Sequence, residues 1–146
     1  RRGRAEILGI KVEYHAVEYP RVNLESLPDP DGRFDWVIAA DVFEHVRRDG
    51  PAFKEVHRVL RPGGWFFLQI PFDPEWETVP RIDVAEEGDR YLLPAEYHAG
   101  RTLVYRHYGR DLPGKLQEVG FEVEVREVES EEWAISRQTA FVCRKP

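Results

Sequence analysis

The stretch from residue 36 to residue 70 constrains the fold most, because two apolar runs flank one amphipathic segment. Residues 36–40 are all apolar, which is typical of a strand buried on both faces of a parallel sheet. Asp49 and Pro51 favour a helix start, and residues 65–70, apolar except for Gln69, form the second run. Between them, a helical stripe consists of Phe53, Val56 and Leu60. The strand–helix–strand order predicts a parallel sheet and an α/β fold.

The segments before and after this stretch predict further helices and strands. Residues 1–10 are interpreted as the end of a helix, and residues 11–17 alternate as a strand with one buried face. Asp111 is expected to cap a helix that stops at Gly120. The last two predicted strands, residues 121–128 and 139–143, follow each other directly and predict a hairpin. The sheet is therefore expected to be mostly parallel, with an antiparallel C-terminal hairpin.

Residues 72–109 carry several prolines and aromatic residues without a sustained period. They predict short elements and are interpreted as a substrate-side insertion in a single domain of residues 1–146. The acidic net charge of −6 argues against nucleic acid as a partner. No apolar run approaches the roughly 20 residues of a membrane span, and no signal peptide is evident, so a soluble cytoplasmic protein is expected. The absence of methionine predicts a fragment, a processed product or a truncated gene.

Ligands of open α/β sheets bind beyond the carboxyl ends of the strands. Three segments follow predicted strands in this way, and we expect them to lie near one another: residues 23–27, 41–45 and 71–73. Asp41 ends the first apolar run, so it presents a carboxylate at that rim.

Three blocks of the sequence resemble class I S-adenosylmethionine-dependent methyltransferases of the type 11 kind: residues 24–37, 41–46 and 55–64. The resemblance implies a Rossmann-like sheet, S-adenosylmethionine as cofactor and methyl transfer to a small-molecule acceptor. It implies that Asn23 and Leu24 meet the adenine. It also implies that the cofactor is lined by Asp41, Val42 and His45, and that Tyr97 and His98 are the catalytic residues facing the acceptor.

The sequence departs from this family in two places. The glycine-rich loop after the first strand and the acidic residue after the second strand have no counterpart, which predicts a domain lacking the first strands. Two functions therefore stay open: methyl transfer, or a non-catalytic remnant that dimerises through exposed strand edges. A nicotinamide-dependent enzyme would also need a glycine-rich loop.

Asp41, Glu44 and His45 form an Asp-x-x-Glu-His set. Some related quinone-pathway methyltransferases bind a metal at such a set. Here Glu44 and His45 are expected to shape the start of the next helix, and no metal is predicted.

Overall fold

A computed structural model describes residues 2–7, 10–16, 21–132 and 135–146. Its helices are α1 (Asp49–Val59) and α2 (Leu112–Val119), and a short 3-10 turn spans Phe43–His45. The longer strands are β1 (Arg2–Ile7), β2 (Ile10–His15), β3 (Phe34–Ala40), β4 (Leu60–Gln69), β12 (Glu122–Ser130) and β13 (Ile135–Arg144). Seven short strands lie between β4 and α2: β5 (Phe72–Asp73), β6 (Val79–Pro80), β7 (Ile82–Asp83), β8 (Arg90–Tyr91), β9 (Tyr97–His98), β10 (Thr102–Leu103) and β11 (Arg106–Gly109).

A four-stranded sheet in the order β12-β13-β4-β3 organises the fold. β3 and β4 are parallel, as the strand–helix–strand pattern predicts, and α1 connects them. The predicted C-terminal hairpin is confirmed: β12 pairs antiparallel with β13, and β13 continues the sheet antiparallel to β4. The sheet therefore contains one parallel pair and two antiparallel pairs.

Both helices contribute to the core, which includes one face of the sheet. Phe53 and Val56 of the predicted stripe are buried on α1, whereas its third residue, Leu60, is buried at the start of β4. Leu112 and Leu116 of α2 are fully buried beside them. The sheet contributes Phe66, Leu68, Phe141 and Cys143. α2 ends as predicted at Gly120, whose φ of +113° is accessible to glycine at little cost. None of the helices in the described residues is long and apolar enough to span a membrane.

The face of β3 that points away from the core contradicts the prediction that this strand is buried on both faces. Trp36 is 51% exposed and Ile38 is 72% exposed, while Val37 and Ala39 pack against the core. β3 lies at the edge of the four-stranded sheet, and no described strand pairs with its outer side. An apolar run indicates that a strand favours burial, but it does not supply the layer that would bury it.

The N-terminal segment also differs from the expectation. β1 is a strand that pairs antiparallel with β2, so the predicted helix end over residues 1–10 is wrong. A helix this short is marginal by itself, whereas a hairpin pairs its backbone groups across two strands. β2 confirms the predicted strand, but Tyr14 is 42% exposed, so its predicted apolar side is not buried. Gly9 and Val17, the predicted ends of these elements, lie outside the described residues.

Candidate active site

Asp41 stands directly after β3 in a left-handed backbone conformation with φ of +50°. Asp is one of the few residues other than glycine that tolerate this region. The Asp41 backbone N–H donates to the carbonyl of Gln69 at 3.1 Å, which fixes the turn to the end of β4. Asp41 is exposed at the rim of the sheet, as predicted from the sequence.

The turn after Asp41 carries its next side chains into the protein interior. Phe43, Glu44 and His45 are all buried in the 3-10 turn. Phe43 stacks on Phe53 of α1 with ring centroids 4.5 Å apart, which anchors the turn to the core. Glu44 is thereby held inside the protein, with only 2% of its surface exposed.

The segment of residues 72–109 folds back over this turn. The backbone N–H of Tyr105 donates to the Glu44 carbonyl at 2.8 Å. The buried Arg106 guanidinium donates to the carbonyls of Phe43, Val46 and Arg47 at 3.1, 2.6 and 2.6 Å. One planar guanidinium thus joins β11 to the chain between β3 and α1.

Glu44, His45 and His98 meet beneath this segment. Glu44 Oε1 lies 3.5 Å from His45 Nε2 and 3.7 Å from His98 Nδ1. The two imidazole rings are nearly perpendicular, with centroids 4.9 Å apart. Within the described residues, neither carboxylate oxygen of Glu44 accepts a hydrogen bond. Burial raises the pKa of Glu44. Its own backbone N–H and the two histidines oppose the rise, while the nearby Asp41 adds to it.

Each histidine of this cluster is oriented by a second contact. His45 Nδ1 lies 2.9 Å from the Leu103 carbonyl, which can only accept, so Nδ1 carries the proton. His98 Nε2 lies 3.4 Å from Glu96 Oε1. Glu96 also meets His107, whose Nε2 is 3.1 Å from the same carboxylate. His45 is 6% exposed, whereas the His98 side chain is 41% exposed, so the cluster opens towards solvent at His98.

The turn at Asn23 is attached to the start of α1. Asn23 Oδ1 accepts from the backbone N–H of Glu25 at 3.0 Å, which shapes the turn locally. The Glu25 carboxylate accepts from the backbone N–H and Nε of Arg48 at 3.1 and 2.6 Å. The Leu27 N–H donates to Glu55 at 2.7 Å. Asn23 is exposed, while Leu24 packs against the core.

The predicted site residues therefore fall into two groups. Val42 and His45 follow Asp41, and His98 reaches the same turn from β9. Asn23 and Leu24 lie on the turn that Glu25 ties to Arg48, one residue before α1. Tyr97 is 52% exposed beside His98. Phe72, from the third predicted segment, packs on the core and pairs in β5 with β11.

Sequence reasoning did not assign three residues of this region to the site. Glu44 was expected only to shape the helix start, although the Asp-x-x-Glu-His spacing was the available signal. Arg106 had no local signal, because the carbonyls that it contacts lie about 60 positions away in the sequence. Glu96 stands two positions before His98, but this spacing was not recognised as part of a site.

A cavity of about 800 Å³ lies at the opposite end of β3. It is bordered by β1 and β2, the start of β3 and Arg61. The predicted cofactor residues do not line it.

A family model described as a methyltransferase domain matches residues 3–68. A probable S-adenosylmethionine-dependent methyltransferase of Mycolicibacterium smegmatis is 36% identical over 120 residues, covering 82% of this chain and 41% of that protein. The ubiquinone/menaquinone biosynthesis C-methyltransferase UbiE of Escherichia coli is 31% identical over 121 residues, covering 73% of this chain and 46% of that protein. The chain thus spans less than half the length of these curated relatives.

A solved structure shares the fold. The 1,6-didemethyltoxoflavin-N1-methyltransferase of Burkholderia thailandensis, with bound 1,6-didemethyltoxoflavin and S-adenosylhomocysteine, superposes with a TM-score of 0.51 at 20% identity. The match covers 84% of this chain and 48% of that one. The parallel strands β3 and β4, the helix α1 between them and the exposed Asp41 after β3 agree with these similarities. The chain is thus a relative of the class I S-adenosylmethionine-dependent methyltransferases, which it resembles in sequence and in fold.

Proposed function

We propose that this chain takes part in S-adenosylmethionine-dependent methyl transfer to a small-molecule acceptor. The observation that carries the proposal is the rim formed where β3 and β4 end. There the exposed Asp41 is held by a backbone bond to Gln69, and residues 97–108 cover the turn that follows it. Relatives with this domain are named for methyl transfer, and a solved neighbour holds S-adenosylhomocysteine.

The residues present fit two parts of the cofactor. Asn23 and Leu24 form a turn that the Asn23 side chain already shapes. This preformed turn supports binding of the flat edge of adenine. The Asp41 carboxylate supplies negative charge for the sulfonium side, with Val42 lining the cofactor and His45 buried behind it. The cofactor supplies the methyl group, and this chain contributes binding and alignment.

Alignment is the main requirement of such a reaction. A nucleophilic O, N or C of the acceptor forms a bond to the methyl carbon as the carbon–sulfur bond breaks, in one direct displacement. Holding the reacting atoms in line is worth up to about 7–11 kcal/mol in well-oriented systems. Tyr97 and His98 lie beside the buried turn on the segment of residues 72–109, and we assign them to the acceptor side.

Isothermal titration with S-adenosylhomocysteine tests the cofactor site. We expect micromolar binding to the chain, weakened at least about tenfold in Asp41→Asn, since one lost charge contact costs about 1.4 kcal/mol or more. Asn keeps the left-handed backbone accessible, so this variant removes charge without the strain that Ala would add.

Asp35→Asn is the matched control, because Asp35 is also exposed but pairs with Arg61 at the other end of β3. Its affinity should equal that of the unchanged chain. Failure to bind at millimolar ligand would overturn the proposed function for this chain, and equal weakening in both variants would overturn the role of Asp41.

A second candidate is a module that dimerises through the edge of the sheet. The exposed Trp36 and Ile38 on β3 favour it, since an apolar edge strand is a template for pairing with another chain. Sedimentation velocity at micromolar concentration tests this candidate, because a homodimer would sediment at twice the chain mass of 17.1 kDa.

A further inference from the structure

The cluster of Glu44, His45 and His98 presents two imidazole nitrogens and one carboxylate oxygen to a common point. Their ligand atoms lie within 4.8 Å of one another. Asp41, which precedes Glu44 in the Asp-x-x-Glu-His set, is not part of this group, and His98 enters it from a different segment. The arrangement therefore depends on the folded path of residues 72–109.

The distances are too long for direct hydrogen bonds but suit a shared cation. Glu44 Oε1 is 3.5 Å from His45 Nε2 and 3.7 Å from His98 Nδ1. Two ligand atoms at about 2.1 Å from a tetrahedral metal ion are separated by about 3.4 Å. The two distances from Glu44 Oε1 are therefore close to this separation, and the three ligand atoms all lie within 4.8 Å of one another.

The proton on each imidazole supports the same conclusion. Because His45 Nδ1 donates to the Leu103 carbonyl, the lone pair of Nε2 faces the Glu44 carboxylate at 3.5 Å. A proton or a metal cation between these two groups removes their repulsion, and the separation of 3.5 Å is longer than an ordinary hydrogen bond. His98 Nε2 faces Glu96, which leaves Nδ1 to face Glu44. A backbone carbonyl and a carboxylate are the usual outer partners that orient metal-binding histidines.

The state of Glu44 adds an independent argument. The side chain is 3% exposed, and within the described residues neither of its oxygens accepts a hydrogen bond. A buried carboxylate without such partners is costly, and a bound cation removes that cost. The half-exposed His98 gives the cation a route from solvent.

We propose that Glu44, His45 and His98 bind a divalent cation of the zinc type. Two nitrogens and one oxygen favour zinc over magnesium or calcium, which prefer sites made of oxygen ligands. Three protein ligands leave a fourth position for water, as in open zinc sites. With the cation bound, His98 is a ligand and not a proton acceptor for the methyl acceptor.

The test is equilibrium dialysis of the tag-free chain against zinc chloride, followed by titration with Co²⁺ and absorption spectroscopy. We expect one zinc per chain and the visible absorption of tetrahedral Co²⁺. His98→Ala should weaken zinc binding at least about tenfold and abolish the Co²⁺ spectrum. Because His98 lies half exposed on a two-residue strand, this variant is expected to fold, which circular dichroism checks.

His15→Ala is the matched control, since His15 lies on β2 and faces Asp29 outside the cluster. It should bind zinc like the unchanged chain. No zinc at one equivalent, or equal zinc affinity in His98→Ala and the unchanged chain, would overturn the inference. Zinc binding is measured without S-adenosylhomocysteine, so its failure is separate from failure of the proposed function.

Discussion

Replacing Arg106 by Met should detach the 72–109 segment from the turn after β3. The methylene chain keeps the volume of the side chain, so the change removes mainly the donors and the charge. Phe43 O retains the N–H of Val46 at 3.2 Å as a partner. The carbonyls of Val46 and Arg47 each lose a donor that lies at 2.6 Å.

The magnitude follows from those two carbonyls. A buried acceptor left without its donor costs about 1–3 kcal/mol, and the Asp49 carboxylate 3.5 Å from Arg106 Nε also loses a countercharge. We expect the free energy of unfolding to fall by about 3 kcal/mol. Arg106→Lys should restore only part of this loss, because one ammonium cannot match the planar fork.

Urea unfolding followed by circular dichroism measures the change. Arg110→Met is the control. Arg110 directly follows the segment, but it is exposed and its contacts with Glu77 and the Glu75 carbonyl are long, at 3.4 and 3.3 Å. Its loss should cost less than about 0.5 kcal/mol. A loss below about 1 kcal/mol for Arg106→Met would refute the argument that this guanidinium fastens the segment.

Two further predictions concern acid stability and self-association. Burial raises the pKa of Asp111, but hydrogen bonds from Thr78 and Lys115 outweigh it and lower the pKa to about 2. A depressed folded pKa contributes stability above the unfolded value of 3.8 and loses it as the pH falls towards 2. Asp111→Asn should therefore destabilise the chain by about 1–2 kcal/mol at pH 6, after allowing for solvent screening, and by almost nothing at pH 2; a pH-independent difference would contradict this. If the chain dimerises through β3, Ile38→Lys should shift it to monomer, whereas an unchanged sedimentation coefficient would exclude that edge.

Local sequence patterns predicted correctly those elements whose apolar residues pack against another element of the described structure. α1, α2 and the C-terminal hairpin follow from periodicity and stop signals such as Gly120, because both signals act within one element. The prediction that Trp36 and Ile38 are buried was wrong, because an apolar run does not indicate whether another layer covers the strand. The helix end over residues 1–10 was wrong because pairing with β2 decided the conformation.

The candidate site was predictable only in part for a similar reason. Asp41 could be placed at a strand end from sequence, since parallel strands end at one rim. The approach of His98 to Glu44 spans 54 positions and depends on how seven short strands turn back over the sheet. No local period encodes that path. A cytoplasmic location and the boundaries 72–109 of the insertion stay predictions. So do the roles of all the site residues: Asn23, Leu24, Asp41, Val42, His45, Tyr97 and His98.

The position of β13 in the sheet has a consequence for the order of folding during synthesis. β4 pairs on one side with β3, which is already synthesised, and on the other with β13, whose residues follow some 70 positions later. Phe141 and Cys143, both fully buried, come from this late strand. A nascent chain on the ribosome therefore holds β4 with one open side until β13 leaves the exit tunnel. Such long-range pairing slows folding, and it leaves the open side of β4 available for pairing with other chains until β13 has docked.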